Sequence, residues 1–238
     1  MTMEPDIKEL IERLRSAYGE RLLSVILYGS GAAGDRQPPY SDVNVFCVLP
    51  RVTPVELAAA ETIFRWWRDK GNPAPLLMGE EEVRRSTDCF PMEFFDMQEC
   101  RMLLHGRDMV PELKISDRHY RVEVEYELRS KFIRLRQKAA GVMSDKKMLT
   151  QLMSDSVATF LVLARHVLRL RAVSPVPITK RDVVASLAAN LNVDVAPFQR
   201  LLHLRSGEKL RDADAETLFA QYLASVEKLI DTVDTLGR

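Results

Sequence analysis

The sequence predicts an α+β protein, in which an N-terminal α/β domain with a small mixed sheet precedes an all-α helical bundle. Two observations support this. Helical and strand-like segments alternate up to about Leu104, whereas from about Asp117 onward every segment carries helical spacing. A short polar segment, "GRDMVPELKISD", lies between the two halves. We therefore predict domains at residues 1–112 and 113–238.

The first predicted elements are a helix, two strands and a second helix. Apolar residues recur at helical spacing over residues 7–17, and the pattern stops at Gly19. The segments "LLSVILYG" and "VNVFCVLP" are apolar, rich in β-branched residues and too short for a typical helix, which predicts two buried neighbouring strands. The second helix, in "TPVELAAAETIFRWWRDKG", has Thr53 as its cap, Pro54 at its first position and Gly71 at its end.

Shorter segments complete the N-terminal half. We predict a short strand in "APLLMG", a helical turn or loop in "EEEVRRST", and a strand in "FPMEFFDMQ", where carboxylates stand among large apolar side chains. The C-terminal half is predicted to contain helices in "YRVEVEYELRSKFIRLRQKA", "DKKMLTQLMSDSVATFLVLARHVLRLRA", "TKRDVVASLAANLN", "DVAPFQRLLHLR" and "DAETLFAQYLASVEKLIDTVDTL".

Composition argues against several classes of partner. Lys+Arg and Asp+Glu each number 34, so no overall field would attract nucleic acid or an anionic membrane. No apolar run approaches the roughly 20 residues of a membrane span, and the start lacks the features of a signal peptide. We expect a cytoplasmic protein without a membrane or nucleic-acid partner.

The cysteines and histidines give no pattern of a metal site, and the tryptophans bear on a possible interface. The three cysteines and four histidines lack the spacing of a disulfide framework or a transition-metal site. Trp66 and Trp67 are consecutive, so at most one can point squarely at the sheet. The other could cover an interface, so a second copy of the chain is one candidate partner, in a homodimer.

A glycine-rich turn follows the first predicted strand, in "LYGSGAAGDRQPPYSDVNVFCVL". Around Gly29, backbone N–H groups could approach a phosphate without an intervening side chain, and Ser30 adds a hydroxyl donor. A tight turn without a ligand explains Gly-Ser equally well.

An acid and an amide stand at the start of the second strand. Side chains alternate along a strand, so Asp42 and Asn44 should share one face. Two oxygen ligands at this spacing suit a hard cation such as Mg²⁺, which takes its other ligands from water and substrate phosphates. In the alternative interpretation, Asp42 caps a turn and Asn44 only satisfies backbone groups.

The Gly29-Ser30 pair, a spacer and Ser41-Asp42-x-Asn44 resemble the signature of polymerase-beta-type nucleotidyltransferases, Gly-Gly/Ser followed by Asp-x-Asp. With its C-terminal helical bundle, the chain is similar to small bacterial nucleotidyltransferase-domain proteins related to the aminoglycoside nucleotidyltransferases. The resemblance implies a nucleotidyltransferase-type N-terminal domain with Mg²⁺ as cofactor. It also implies transfer of a nucleoside monophosphate from ATP or another nucleoside triphosphate to a small-molecule or protein acceptor. Ser41 then joins Gly29 and Ser30 as a nucleotide-binding residue.

The resemblance implies two further carboxylates. A third metal ligand usually comes from a neighbouring strand, and here it would be Glu93 or, failing that, Asp96. Either acid could instead cap a strand end or pair with Arg101. In related antibiotic-modifying enzymes the helical half supplies the activating base, for which Glu123 and Glu127 are the candidates because they share a helix face.

Asn44 departs from the family signature. An amide oxygen is neutral and binds a cation more weakly than a carboxylate does, so nucleotide binding survives this change more easily than fast catalysis. Two hypotheses follow. In the first, the chain is a Mg²⁺-dependent nucleotidyltransferase in which an amide, Asn44, replaces the second carboxylate. In the second, it is a catalytically weak or inactive nucleotide-binding or interaction protein that retains the fold.

Overall fold

A computed structural model of the chain describes residues 5–29, 32, 43–207 and 214–237. The chain divides into two compact units, Met1–Tyr120 and Arg121–Arg238. The domain boundary predicted between residues 112 and 113 lies shortly before this division and stays a prediction.

The first unit is built on a small mixed sheet. Its helices are α1 (Pro5–Tyr18), α2 (Pro54–Asp69), α3 (Glu80–Arg85) and α4 (Pro91–Glu99), and its strands are β1 (Ser24–Tyr28), β2 (Asn44–Leu49), β3 (Leu76–Gly79) and β4 (Arg101–Gly106). In the described part of the chain, the four strands take the order β3-β2-β1-β4. β1 is antiparallel to β2 and β4, whereas β2 and β3 are parallel. The predicted small mixed sheet is confirmed.

Both faces of the sheet are covered, which explains why its central strands are apolar throughout. Val25 and Cys47 belong to a buried cluster that includes residues of α1 and α2. Ile26 and Phe46 point to the other face and pack in a second cluster with residues of α4. A strand that is buried on both faces is apolar at successive positions and shows no alternation with polar residues.

The segment "FPMEFFDMQ" forms helix α4, so its prediction as a strand is wrong. Pro91 occupies the first turn, where its fixed φ and missing N–H are tolerated. The buried residues of α4 recur at helical spacing and are Pro91, Met92, Phe94, Phe95 and Met97. Strand β4 follows at once and is absent from the predicted elements, because its half-buried positions give no clear alternation.

A network at the start of α2 joins it to α1. Thr53 caps the helix by accepting the Val55 N–H at 3.3 Å, and the Glu56 carboxylate accepts the Thr53 N–H at 3.0 Å. Arg21 Nη1 lies 2.7 Å from the same carboxylate, and the Tyr18 hydroxyl donates to the Glu56 carbonyl at 2.9 Å. The predicted cap at Thr53 is confirmed.

The second unit is a helical bundle, as predicted. Its helices are α5 (Asp117–Ala140, whose first turn belongs to the first unit), α6 (Lys146–Leu170), α7 (Lys180–Leu191), α8 (Ala196–Arg205) and α9 (Ala215–Asp234). Helix α6 packs against α7, α8 and α9. Tyr222 of α9 contacts Phe160 and Phe198 edge to face, and its hydroxyl lies 3.0 Å from that of Ser156.

The bundle also holds a buried histidine. Burial, followed by the nearby Arg165 and Arg169 charges, lowers the pKa of His166 to about 3, so this side chain is neutral at physiological pH. None of the described helices is both long and apolar enough to span a membrane.

The Thr53 cap generates a stability prediction. Thr53→Ala should lower the free energy of unfolding at neutral pH by about 1 kcal/mol, because an N-cap hydroxyl is lost. The Thr53 hydroxyl also donates a hydrogen bond to the Glu56 carboxylate, and this bond is the main reason why the pKa of Glu56 lies below its ordinary 4.5. A carboxyl group whose pKa is lowered in the folded protein stabilises it above the unfolded-state pKa, and this stabilisation is lost as pH falls through the folded-state pKa. The difference in free energy of unfolding between wild type and variant should therefore shrink over that pH range. Urea denaturation across this pH range measures it.

Thr232→Ala is the control, because the Thr232 hydroxyl donates to the Lys228 carbonyl within a helix and caps nothing. Equal losses in the two variants would contradict the capping role.

Candidate functional site

Three strands bring their ends together at Tyr28. Tyr28, the last residue of β1, is opposite Asn44, the first residue of β2, in the antiparallel register. On its other side Tyr28 is opposite Arg101, the first residue of β4. This end of the sheet therefore gathers the glycine turn and the start of the strand that carries the predicted cation ligands.

Gly29 makes the bend after β1. Its φ of +73° lies in the left-handed region that favours glycine. Its N–H donates to the Cys100 carbonyl at 3.2 Å, and its carbonyl accepts the Ala32 N–H at 3.0 Å. Any phosphate donors of this turn are therefore groups other than the Gly29 N–H, and the contribution of Gly29 is its conformation. Ser30 lies outside the described residues.

Asn44 is half-buried beside Gly29. A Cβ added to Gly29 would lie 3.4 Å from Nδ2 of Asn44, so the carboxamide packs directly against the bend. By alternation Asn44 is on the same sheet face as Phe46, whose ring contacts Phe94 of α4 with centroids 6.4 Å apart. The amide therefore lies on the face that α4 covers. Ser41 and Asp42 lie outside the described residues.

Helix α4 places two carboxylates near the same end of the sheet. Burial is the largest cause, followed by the charges of Glu93 and Asp96, and together they raise the pKa of Tyr28 to about 12. Glu93 is exposed and Asp96 is half-buried. Although Glu93 stands among large apolar side chains in the sequence, it is not buried with them, because in a helix those neighbours turn away from it.

Arg101 and Gln98 anchor α4 and carry no obvious signal in the sequence. Arg101 Nε donates to Asp108 at 2.8 Å, and its Nη1 donates to the Gln98 carbonyl at 2.9 Å. Gln98 Nε2 donates to the Leu113 carbonyl at 2.9 Å. The guanidinium is therefore bound to Asp108 and to the end of the helix. The alternative interpretation of the sequence paired Arg101 with Glu93 or Asp96 instead.

Glu127 lies in the second unit, on α5. Its carboxylate is 3.3 Å from Lys131 Nζ, one helical turn away, and its side chain is 31% exposed. Glu123 is half-buried on the same helix. A role for either as a base stays a prediction.

The chemistry available at this end of the sheet is that of oxygen ligands. An amide oxygen from Asn44 and a carboxylate from α4 suit a hard cation, and Asp42 is predicted by strand alternation to join them. Within the described residues alone, no cluster of three or more His, Cys, Asp or Glu side chains could hold a metal ion. The role of Asp42 as a ligand stays a prediction.

A separate concavity of about 670 Å³ lies toward the opposite end of β1. Its lining residues are Glu12, Arg15, Ser16, Gly19, Glu20, Leu22 and His105. The polar residues of α1 in this lining are exposed, which is typical of a solvated surface depression.

Comparison with solved structures identifies the fold. The chain is similar to spectinomycin adenyltransferase AAD(9) from Enterococcus faecialis, solved with ATP and spectinomycin, at a TM-score of 0.59 and 14% identity, covering 96% of this chain and 98% of that one. At this identity the likeness shows the fold alone, which is nucleotidyltransferase-like with a helical bundle. No protein-family profile and no curated protein matches the chain in sequence.

The packing of Asn44 against Gly29 can be tested with a pair of glycine variants. Gly29→Ala and Gly71→Ala both force an alanine into the left-handed region, and each should lower the free energy of unfolding by about 1–2 kcal/mol. Gly71 has a φ of +84° and nothing within 4 Å of an added Cβ, so it measures the backbone effect alone. Urea denaturation compares the two. A much larger loss at Gly29 would mean that the methyl group cannot fit beside Asn44.

Proposed function

We propose that this protein is a nucleotidyltransferase that transfers a nucleoside monophosphate, AMP from ATP, to a small-molecule or protein acceptor. One observation carries the proposal: Gly29 and Asn44 lie beside Tyr28 at one end of the sheet, on the face that α4 covers, and the charges of Glu93 and Asp96 of that helix help to raise the pKa of Tyr28. The nucleotidyltransferase-like fold gives this meeting point its functional context.

In this proposal the turn after β1 holds the triphosphate. Gly29 provides the bend, and Ser30 and Ser41 provide hydroxyl donors. Asp42, Asn44 and one acid of α4 hold Mg²⁺, for which their hard oxygen atoms are suited. When bound, the ion neutralises charge that develops on the phosphates.

The acceptor hydroxyl needs a base, and we assign that role to Glu127. A carboxylate on the bundle can accept a proton only where it comes within hydrogen-bond reach of the acceptor. The Glu127 carboxylate lies 3.3 Å from Lys131 Nζ on α5. The neighbouring structure was solved with ATP and spectinomycin, so small polyhydroxylated molecules are the first acceptors to test.

A second function, nucleotide binding without fast chemistry, is favoured by Asn44. A neutral amide in place of a second carboxylate removes one anion from the ligand set and weakens support for phosphoryl transfer. Isothermal titration with ATP, CTP, GTP and UTP, with and without Mg²⁺, separates both functions from a structural role. Pyrophosphate release with an acceptor then distinguishes the enzyme from the binding protein.

Variants of the second strand test the cation site. Asp42→Ala should abolish Mg²⁺-dependent nucleotide binding, because it removes the only full charge predicted on this strand face. Asn44→Asp should keep that binding and raise turnover, because it adds a charged ligand. Calorimetry and pyrophosphate release measure the two effects.

Asn190→Asp is the matched control for the added charge, because Asn190 is exposed on α7. If Asp42→Ala lowers stability and leaves nucleotide binding intact, Asp42 caps a turn and the cation site is wrong.

The third ligand can be identified on α4. One of Glu93→Gln and Asp96→Asn should remove the third ligand and weaken Mg²⁺-dependent ATP binding at least about tenfold, since loss of a group that merely hydrogen-bonds a metal ligand weakens metal sites by that factor. Glu61→Gln is the control, because Glu61 is exposed on α2 and pairs there with Arg65, and this variant should bind as wild type does. Binding unchanged in both test variants would exclude α4 from the metal site.

A further inference from the structure

Helix α5 is apolar on two sides. Its buried side chains, among them Leu128 and Phe132, lie on one side of the helix. Val122, Tyr126 and Ile133 lie on the opposite side, where they are 51%, 67% and 53% exposed. A helix whose other side faces solvent ordinarily carries polar residues there. These three exposed side chains form an apolar stripe, the α5 stripe.

Charged residues flank the α5 stripe, and their sign changes once along the helix. Over residues 122–136, each charged residue up to position 127 is an acid, and each one from position 129 onward is a cation. On the two flanks of the stripe these residues are Glu123, Glu125 and Glu127 in the first half and Arg134 and Arg136 in the second.

Arg129 lies near the middle of the α5 stripe, and its charge is compensated within its own chain. Its guanidinium is 2.6 Å from the Asp234 carboxylate of α9 and 3.1 Å from the Glu125 carboxylate. A cation bound in this way does not prevent the apolar side chains on either side of it from contacting a partner.

Trp66, the residue that the sequence offers for an interface, is covered by its own chain. Its side chain is half-buried, and the Arg13 guanidinium lies 4.4 Å from its ring centroid. The α5 stripe leaves more than half of each apolar residue exposed and is therefore the better candidate for an interface.

We propose that the α5 stripe binds the α5 stripe of a second copy of this chain, with the two helices antiparallel about a two-fold axis. Antiparallel pairing sets the acidic first half of each helix against the basic second half of the other, with Glu123 of one copy beside Arg134 of the other. Parallel pairing would set acid against acid and cation against cation. The order of charges thus favours a second copy in the antiparallel arrangement. Dimerisation of this kind does not depend on the proposed nucleotidyl transfer.

Sedimentation velocity of the full chain, over a range of protein concentrations, tests the dimer. Wild type should approach twice the chain mass of 27.2 kDa as the concentration rises, because a contact one helix wide is small and the dimer dissociates on dilution. Tyr126→Glu should raise the dissociation constant at least about tenfold, because it places a charge within the apolar contact. Wild type that stays at the chain mass throughout, or a variant that dimerises as wild type does, overturns the proposal.

Charge reversal tests the antiparallel arrangement. Glu123→Lys and Arg134→Glu should each raise the dissociation constant about tenfold, because two attractive pairs across the axis become two repulsive ones. An equal mixture of the two variants should dimerise as well as wild type, because each chain then meets the opposite charge at both ends. In either variant the new charge lies one helical turn from an opposite charge, at Glu127 or Lys138, which supports the helix.

Arg200→Glu is the matched control, because Arg200 is exposed on α8, and this variant should dimerise as wild type does. A mixture that fails to restore the dimer, or an equal weakening by Arg200→Glu, contradicts the antiparallel pairing of α5.

Discussion

The antiparallel register of β1 and β2 is the constraint on which the candidate site depends. It sets Tyr28 opposite Asn44 and so brings the amide beside the bend at Gly29. Since both sheet faces are buried, a slip of one residue would move every side chain of β2 to the opposite face. Phe46 would leave its contact with Phe94, and Asn44 would enter the cluster formed with α1 and α2. The hydrophobic core thereby fixes the position of a polar residue at its edge.

Helical geometry decides how α4 contributes. In a strand, residues three apart point to opposite faces, so Glu93 and Asp96 could not both have reached one site. In a helix they are neighbours on one side, and the charges of both raise the pKa of Tyr28. The apolar residues between them turn toward the sheet and toward Tyr120, whose ring centroid lies 4.5 Å from that of Phe95. Under the proposed function the two acids are therefore alternative third ligands of the cation, and one helix supplies both.

The sequence indicated the parts of this structure that depend on local chemistry. The cap at Thr53, the buried β1 and β2, and the bundle helices follow from residue patterns within a few positions. Helix α4 was missed because a short apolar run fits a strand or a helix, although Pro91 after Phe90 is a signal for a helical first turn. The bond from Gly29 to Cys100 could not be predicted, because its partners are distant in the sequence and meet only through the pairing of β1 with β4.

The amide at Asn44 acquires a physical meaning beside the acids of α4. Under the proposed function Asp42 shares the strand face of Asn44, and an aspartate at position 44 would place a further carboxylate close to Asp42, Glu93 and Asp96. Like charges crowded together disfavour one another's ionised forms until a cation binds. A neutral amide keeps an oxygen ligand and removes one repelling charge, so the metal-free site is less strained. The same substitution lowers affinity for the cation, which makes binding depend more strongly on the charge that the triphosphate brings with it.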